Sequence, residues 1–110
     1  PNILARRLKK ESKDIIVVIV PQATMFNPYW DLYIQGVLDA GLQLQPLGIF
    51  VEILRFDSMR ADSFVKICND ILPKKNICGI AWVPLFEEES IKFRDLFIEK
   101  KIPLVSFDTQ

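Results

Sequence analysis

Short apolar, β-branched runs alternate with stretches of helical period along the chain. Asp14–Val20 reads DIIVVIV, a continuous apolar run that predicts a strand buried on both faces. Pro28–Gln45 follows with Trp30, Tyr33, Ile34, Val37, Leu38 and Leu42 on a helical stripe. Ile49–Phe56 alternates in part and reads as a second strand. Ala61–Leu72 carries Phe64, Ile67, Cys68 and Ile71 at helical spacing, and Pro73 stops it. The cycle then repeats: Ile77–Val83 is a third buried strand, Glu87–Lys101 a third helix with Phe93, Leu96, Phe97 and Lys100 in register, and Leu104–Phe107 a fourth strand. Glu87, Glu88 and Glu89 at the start of that helix and Lys100 and Lys101 at its end complement its dipole.

This order is three successive βαβ units. Right-handed crossovers turn it into an α/β fold, a doubly wound parallel sheet of about four strands with three helices covering both faces. The fourth strand closes within three residues of the C-terminus with no covering helix after it, and the chain begins with Pro. The expectation is a chain truncated at both ends.

At 110 residues, half of them apolar and a quarter charged, the chain is globular and amounts to one domain or a piece of one. Its longest apolar run, Ile15 to Pro21, falls far short of the ~20 residues that span a bilayer. The 14 basic and 14 acidic residues cancel, yet they are unevenly placed. Residues 1–14 hold Arg6, Arg7, Lys9, Lys10 and Lys13 against Glu11 and Asp14, a net +3, which leaves −3 on the rest. A polyanion is therefore expected to meet only the leading end; a solvated basic end with no partner is the bland alternative. Cys68 lies in an amphipathic stretch and Cys78 in an apolar run, so both read as small core residues, not as a disulfide scaffold. Pro1–Lys13 is basic and polar with no apolar signal segment, which with the cysteine usage predicts a reducing, cytoplasmic location.

In open α/β sheets ligands bind at the carboxyl ends of the strands. The loop after the first strand, PQATMFNPYW, has no glycine, which argues against a dinucleotide or P-loop site there. The absence of histidine removes Ser-His-Asp and Cys-His nucleophile systems and histidine metal ligands. A phosphorylatable receiver fails too, because Pro21-Gln22 and Pro84-Leu85-Phe86 stand where it needs acidic residues. Asp57 and Asp108 remain a conceivable acid/base pair, set against solvated loop carboxylates. No enzyme activity, cofactor or metal is expected. Phe26, Tyr29 and Trp30 surround Asn27-Pro28 at the first strand-to-helix turn. Such aromatic faces suit the C–H face of a sugar, and Asp108 is a natural acceptor for its hydroxyls. The alternative for Tyr29 and Trp30 is that they begin the helix and pack into the core.

VVIVP…NPYWDLYIQGVLDAG resembles the opening of the type I periplasmic-binding-protein fold, a Rossmann-like lobe with an Asn-Pro-aromatic-aromatic turn and a glycine, here Gly36, inside the helix. ICGIAWVPL and IPLVSFD are similar to that family's third and fourth strands, with Asp108 at the place of its sugar-binding Asp. The leading PNILARRLKK resembles the hinge helix of the lactose-repressor (LacI/GalR) regulators, whose pattern is Pro-Asn/Ser-x-x-Ala-Arg-x-Leu. The resemblance implies a hinge over residues 1–14 and the N-terminal lobe of an effector-binding domain over 15–110. In it Leu8 would wedge between bases in the minor groove, Ala5 would permit close approach, and Asn2 and Arg6 would belong to the same DNA contact, with Arg7 near phosphates.

It further implies a ligand-responsive regulator acting as a homodimer. The effector, a sugar or sugar derivative, would be held by Gln22, Phe26, Tyr29, Trp30 and Asp108. Operator DNA would be held through the hinge and a helix-turn-helix outside this sequence, with no membrane partner. Thr109 departs from the Arg that many members carry after the Asp, and Gln22 and Thr24 depart from their acidic or small polar residues, so the expectation is either an unusual sugar or an effector of another kind. The rival reading keeps the fold but places it in a periplasmic sugar-binding protein or the sensor of a membrane histidine kinase, which leaves PNILARRL unexplained. An enzyme on a flavodoxin-like sheet is the third reading.

Overall fold

The computed structural model describes residues 14–22 and 29–107, with Tyr29 as backbone only. Strand β1 (Asp14–Pro21) is followed by helix α1 (Tyr29–Leu44), a 3-10 turn (Gln45–Leu47) and β2 (Ile49–Phe56). Helix α2 (Ala61–Ile71), β3 (Ile77–Trp82), α3 (Glu87–Glu99) and β4 (Leu104–Ser106) complete the order. The four strands are parallel in the order β2-β1-β3-β4, so the α/β doubly wound reading holds.

β1 lies inside the sheet because its whole run is apolar. Val17, Val18, Ile19 and Val20 are all buried, and alternate side chains enter opposite clusters. Val17 and Ile19 face α2 and α3 in a cluster with Phe56, Phe64, Cys68, Trp82, Phe93 and Phe97. Val18 and Val20 face α1 in a smaller cluster with Trp30, Ile34 and Val83. The larger cluster is an aromatic chain, with ring centroids 5.2 Å apart for Phe56–Phe64, 5.5 Å for Phe64–Trp82 and 5.9 Å for Trp82–Phe97. Such tilted and edge-on contacts add to the burial itself.

Two glycines have steric reasons. A Cβ on Gly41 would lie 3.2 Å from Val51 Cγ2, so its absence lets α1 sit close on β2. Gly48 has φ 81°, a left-handed position where its N–H donates to the Gln45 carbonyl at 2.9 Å and turns the chain into β2. Gly36, the glycine of the resembling motif, faces open space.

The structure corrects two expectations. Cys78 is exposed, not core. β3 pairs Ile15 with Ile77 and Ile16 with Gly79, an irregular step that leaves Cys78 without an opposite residue and outside the core. The α1 stripe is also only partly covered: Trp30 and Ile34 are buried, but Tyr33, Leu38 and Leu42 are 44, 46 and 64% exposed. Among the described residues α1 is the one helix packed on its face of the sheet, so the flanks of its stripe stay open.

Burial pushes the Cys68 thiol up from 9.0 to about 12. The folded state therefore holds this proton where the unfolded chain releases it, and stability falls as pH rises from about 9 toward 12. Thiol labelling of the native protein at pH 8 should modify Cys78 alone, with Cys68 reacting only on unfolding. Two fast-reacting thiols would contradict this burial.

Candidate functional site

The chain leaves β1 for β2 on one side and later returns to β3 on the other, so the sheet has its switch point between β1 and β3. In open α/β sheets the loops that diverge at such a point leave the crevice where ligands bind. Gln22 stands at that edge: its backbone N–H donates to the Phe56 carbonyl at 2.8 Å, carrying the ladder one residue past β1, and its side chain is exposed. Trp30 stands in the first turn of α1.

Trp30 is 8% exposed and belongs to the α1-side core. Its ring centroid lies 5.5 Å from Tyr33 and 6.3 Å from Phe107, and those two are 6.1 Å apart. The Phe107 N–H donates to the Trp82 carbonyl at 2.8 Å, which carries the β3–β4 ladder beyond β4 and sets the ring against α1. The three rings form a closed triangle at the carboxyl edge, its wet corner being Tyr33. Tyr33 and Phe107 were not among the expected site residues. Their signals were an aromatic one turn after Trp30 and an aromatic directly before Asp108. Phe26, the Tyr29 side chain and Asp108 lie outside the described residues, as do Asn2, Ala5, Arg6 and Leu8.

Asp57 serves the turn between β2 and α2. Its Oδ1 accepts the Met59 N–H at 2.9 Å, while its own N–H donates to Ser63 Oγ at 2.9 Å. The Ser63 hydroxyl donates to the Arg60 carbonyl at 2.7 Å. This local Asx-turn engages one oxygen of the Asp57 carboxylate, while Asp108, its conceivable acid/base partner, lies outside the described residues. Nearby, Arg60 donates to both oxygens of Asp62, at 3.2 and 2.9 Å, and those hydrogen bonds hold the Asp62 carboxyl below its usual range.

On the opposite face, α3 and the ends of β3 and β4 enclose a cavity of about 290 Å³ lined by Trp82, Pro84, Glu87, Ser90, Arg94 and Ser106. The Trp82 indole N–H donates to Ser106 Oγ at 3.1 Å, and Ser90 Oγ is buried without a partner among the described residues. Among those residues no group of His, Cys, Asp or Glu is arranged to hold a metal ion. No helix among them is long and apolar enough to cross a membrane.

Because Trp30 is buried and Tyr33 half-open, the two should separate in a stability measurement. Trp30→Ala should cost about 3 kcal/mol or more and Tyr33→Ala about 1 kcal/mol, read from urea midpoints. Equal losses would place Trp30 outside the core.

No family model matches the sequence, and no curated protein matches it. Among solved structures the chain is similar to the crystal structure of a proposed LacI transcriptional regulator from Bacteroides fragilis, at 21% identity and a TM-score of 0.78. The match covers 90% of this chain and 34% of that one, so this chain spans about a third of its neighbour's length. At this identity the likeness establishes the fold: four parallel strands and three helices in the LacI-like, periplasmic-binding-protein-like arrangement.

Proposed function

We propose that the chain supplies the hinge (residues 1–14) and one effector-binding lobe (15–110) of a cytoplasmic, ligand-responsive transcriptional regulator of the LacI type. The observation that carries the reading is the likeness of 90% of the chain to one part of a proposed LacI regulator, joined in this sequence to the leading PNILARRL. A solute-binding or sensor protein of the same fold leaves that basic leading segment without a role.

The effector is a small polyol, in the sugar class, held at the carboxyl edge. Tyr33 and Phe107 join Gln22, Phe26, Tyr29 and Trp30 as the aromatic and amide wall, and Asp108 accepts the hydroxyls. Trp30 acts chiefly by holding the other rings, since its own face is spent in the core. A second lobe closing on this edge would bind effector in one arrangement better than in the other. Only that difference in affinity can shift the population that orders the hinge on operator DNA. The partly exposed Leu38 and Leu42, which with Val51 line a shallow groove between α1 and β2, are the surface assigned to the second copy of a homodimer.

The test is a titration of the intact regulator with a panel of mono- and disaccharides, followed by tryptophan fluorescence, alongside operator binding. Asp108→Ala should weaken effector binding tenfold or more and leave operator affinity unchanged. Unaltered effector affinity would remove Asp108 from the site, and an intact protein that binds no DNA would overturn the regulator reading.

A further inference from the structure

The −3 carried by the chain beyond the leading segment is polarised along the strands. In a parallel sheet every helix-to-strand loop lies at the amino ends of the strands and every strand-to-helix loop at the carboxyl ends. Asp31, Asp57, Asp62, Glu87, Glu88 and Glu89 fall at the carboxyl end, opposed there by Arg55 and Arg60. Lys74 and Lys75 fall in the loop before β3, and Lys100 and Lys101 in the loop before β4. All four lysines are exposed.

Lysines at helix C-termini can be explained by the helix dipole alone. Lys100 fits that account, because its Nζ donates to the Leu72 carbonyl at the end of α2 and ties the two loops together. Lys74, Lys75 and Lys101 make no side-chain hydrogen bond or ion pair with any described residue. The acidic side chains nearest this end are Asp14 and Glu99, while Asp70 is already paired with Lys66 at 3.1 Å.

The same end receives the leading segment. β1 lies next to β3, and the Ile15 N–H donates to the Asn76 carbonyl at 2.9 Å, one residue beyond Lys75. The chain of residues 1–14, net +3, therefore joins the sheet directly beside the lysine loops, which follow one another across adjacent strands about 4.8 Å apart. The start of β1 and the two lysine loops, far apart in sequence, thus lie at the same end of the sheet.

We infer that the amino end of the sheet, through Lys74, Lys75 and Lys101, contacts the phosphate backbone of the duplex DNA that the leading segment engages. This rests on the reading of residues 1–14 as a DNA-contacting hinge. Lysine ammonium groups without base-edge partners neutralise phosphates and position a protein without reading sequence. The contact therefore adds affinity equally on all duplexes and releases about 0.9 counterion per phosphate neutralised. An anionic membrane surface is the competing partner for such a patch; the resemblance of PNILARRL to a minor-groove hinge favours a duplex.

The experiment measures binding of the full 110-residue chain to a duplex of arbitrary sequence as a function of salt. Three proteins are compared: the wild type, K74Q/K75Q/K101Q, and R6Q/R7Q/K9Q/K10Q. The loop variant should lower the slope of log K against log salt by about 2.7, and the arginine set K74R/K75R/K101R should restore it. Matching circular dichroism and melting curves check that each variant folds. If the loop variant keeps the wild-type slope while the leading-segment variant loses binding, the lysine end is overturned and the hinge reading stands. If the wild type binds no duplex even at low salt, the lysine contact is overturned, and operator binding by the intact regulator decides the hinge reading separately. Loss of binding to phosphatidylserine vesicles in the loop variant, with duplex binding unchanged, would assign the lysines to a membrane and overturn the inference.

Discussion

The parallel pairing of β1 with both β2 and β3 is the constraint on which the rest depends. An interior strand has no edge to offer water, so its backbone groups must be satisfied by two neighbours and its side chains covered on two faces. Asp14–Pro21 meets the first demand through registers such as Val18 with Ile53 and Val17 with Ile80. It meets the second by sending alternate valines and isoleucines into two separate clusters. Once β1 is central, α1 must cross on one face and α2 and α3 on the other, because right-handed crossovers to opposite sides of a strand lie on opposite faces.

That arrangement gives the molecule two chemically different ends. The carboxyl ends gather aromatic rings and acidic residues around a switch point; the amino ends gather lysines beside the entry of the leading segment. Helix dipoles follow the same axis, since each helix begins at the carboxyl end and finishes at the amino end. Glu87 to Glu89, with Lys100 and Lys101, suit the dipole of α3 at its two ends, while Lys74 and Lys75 lie beyond the C-cap of α2.

For the proposed regulator, this polarity separates the two partners. In that proposal a neutral polyol would meet rings and hydroxyl acceptors at one end and a polyanion ammonium groups at the other, so neither would compete for the other's surface. The stiff pairing of β1 between them links the ends, and any coupling has to arise from two arrangements of lobes or protomers that the two ligands favour unequally. The half-covered face of α1 provides an apolar surface where such arrangements can differ.

The fold class was legible because period carries it: seven consecutive β-branched or apolar residues permit little but an interior strand, and Phe64, Cys68 and Ile71 at helical spacing were buried as their pattern required. The places where pattern failed are instructive. Cys78 sits in an apolar run, yet a one-residue irregularity in pairing with β1 put it outside, and such a slip leaves no mark in composition. Leu38 and Leu42 belong to a helical stripe, but how much of a stripe is covered depends on how many helices share a face. Trp30 could be read as ligand wall or as core from its position alone; only the packing of Tyr33 and Phe107 against it made it the support of an aromatic triangle. Local periodicity thus determined the elements and their order, because backbone geometry and burial act over a few residues. Tertiary structure decided which side chains meet, such as Trp30 with Phe107, and which loops share an end of the sheet, because strand order brings together segments that lie some sixty residues or more apart in sequence.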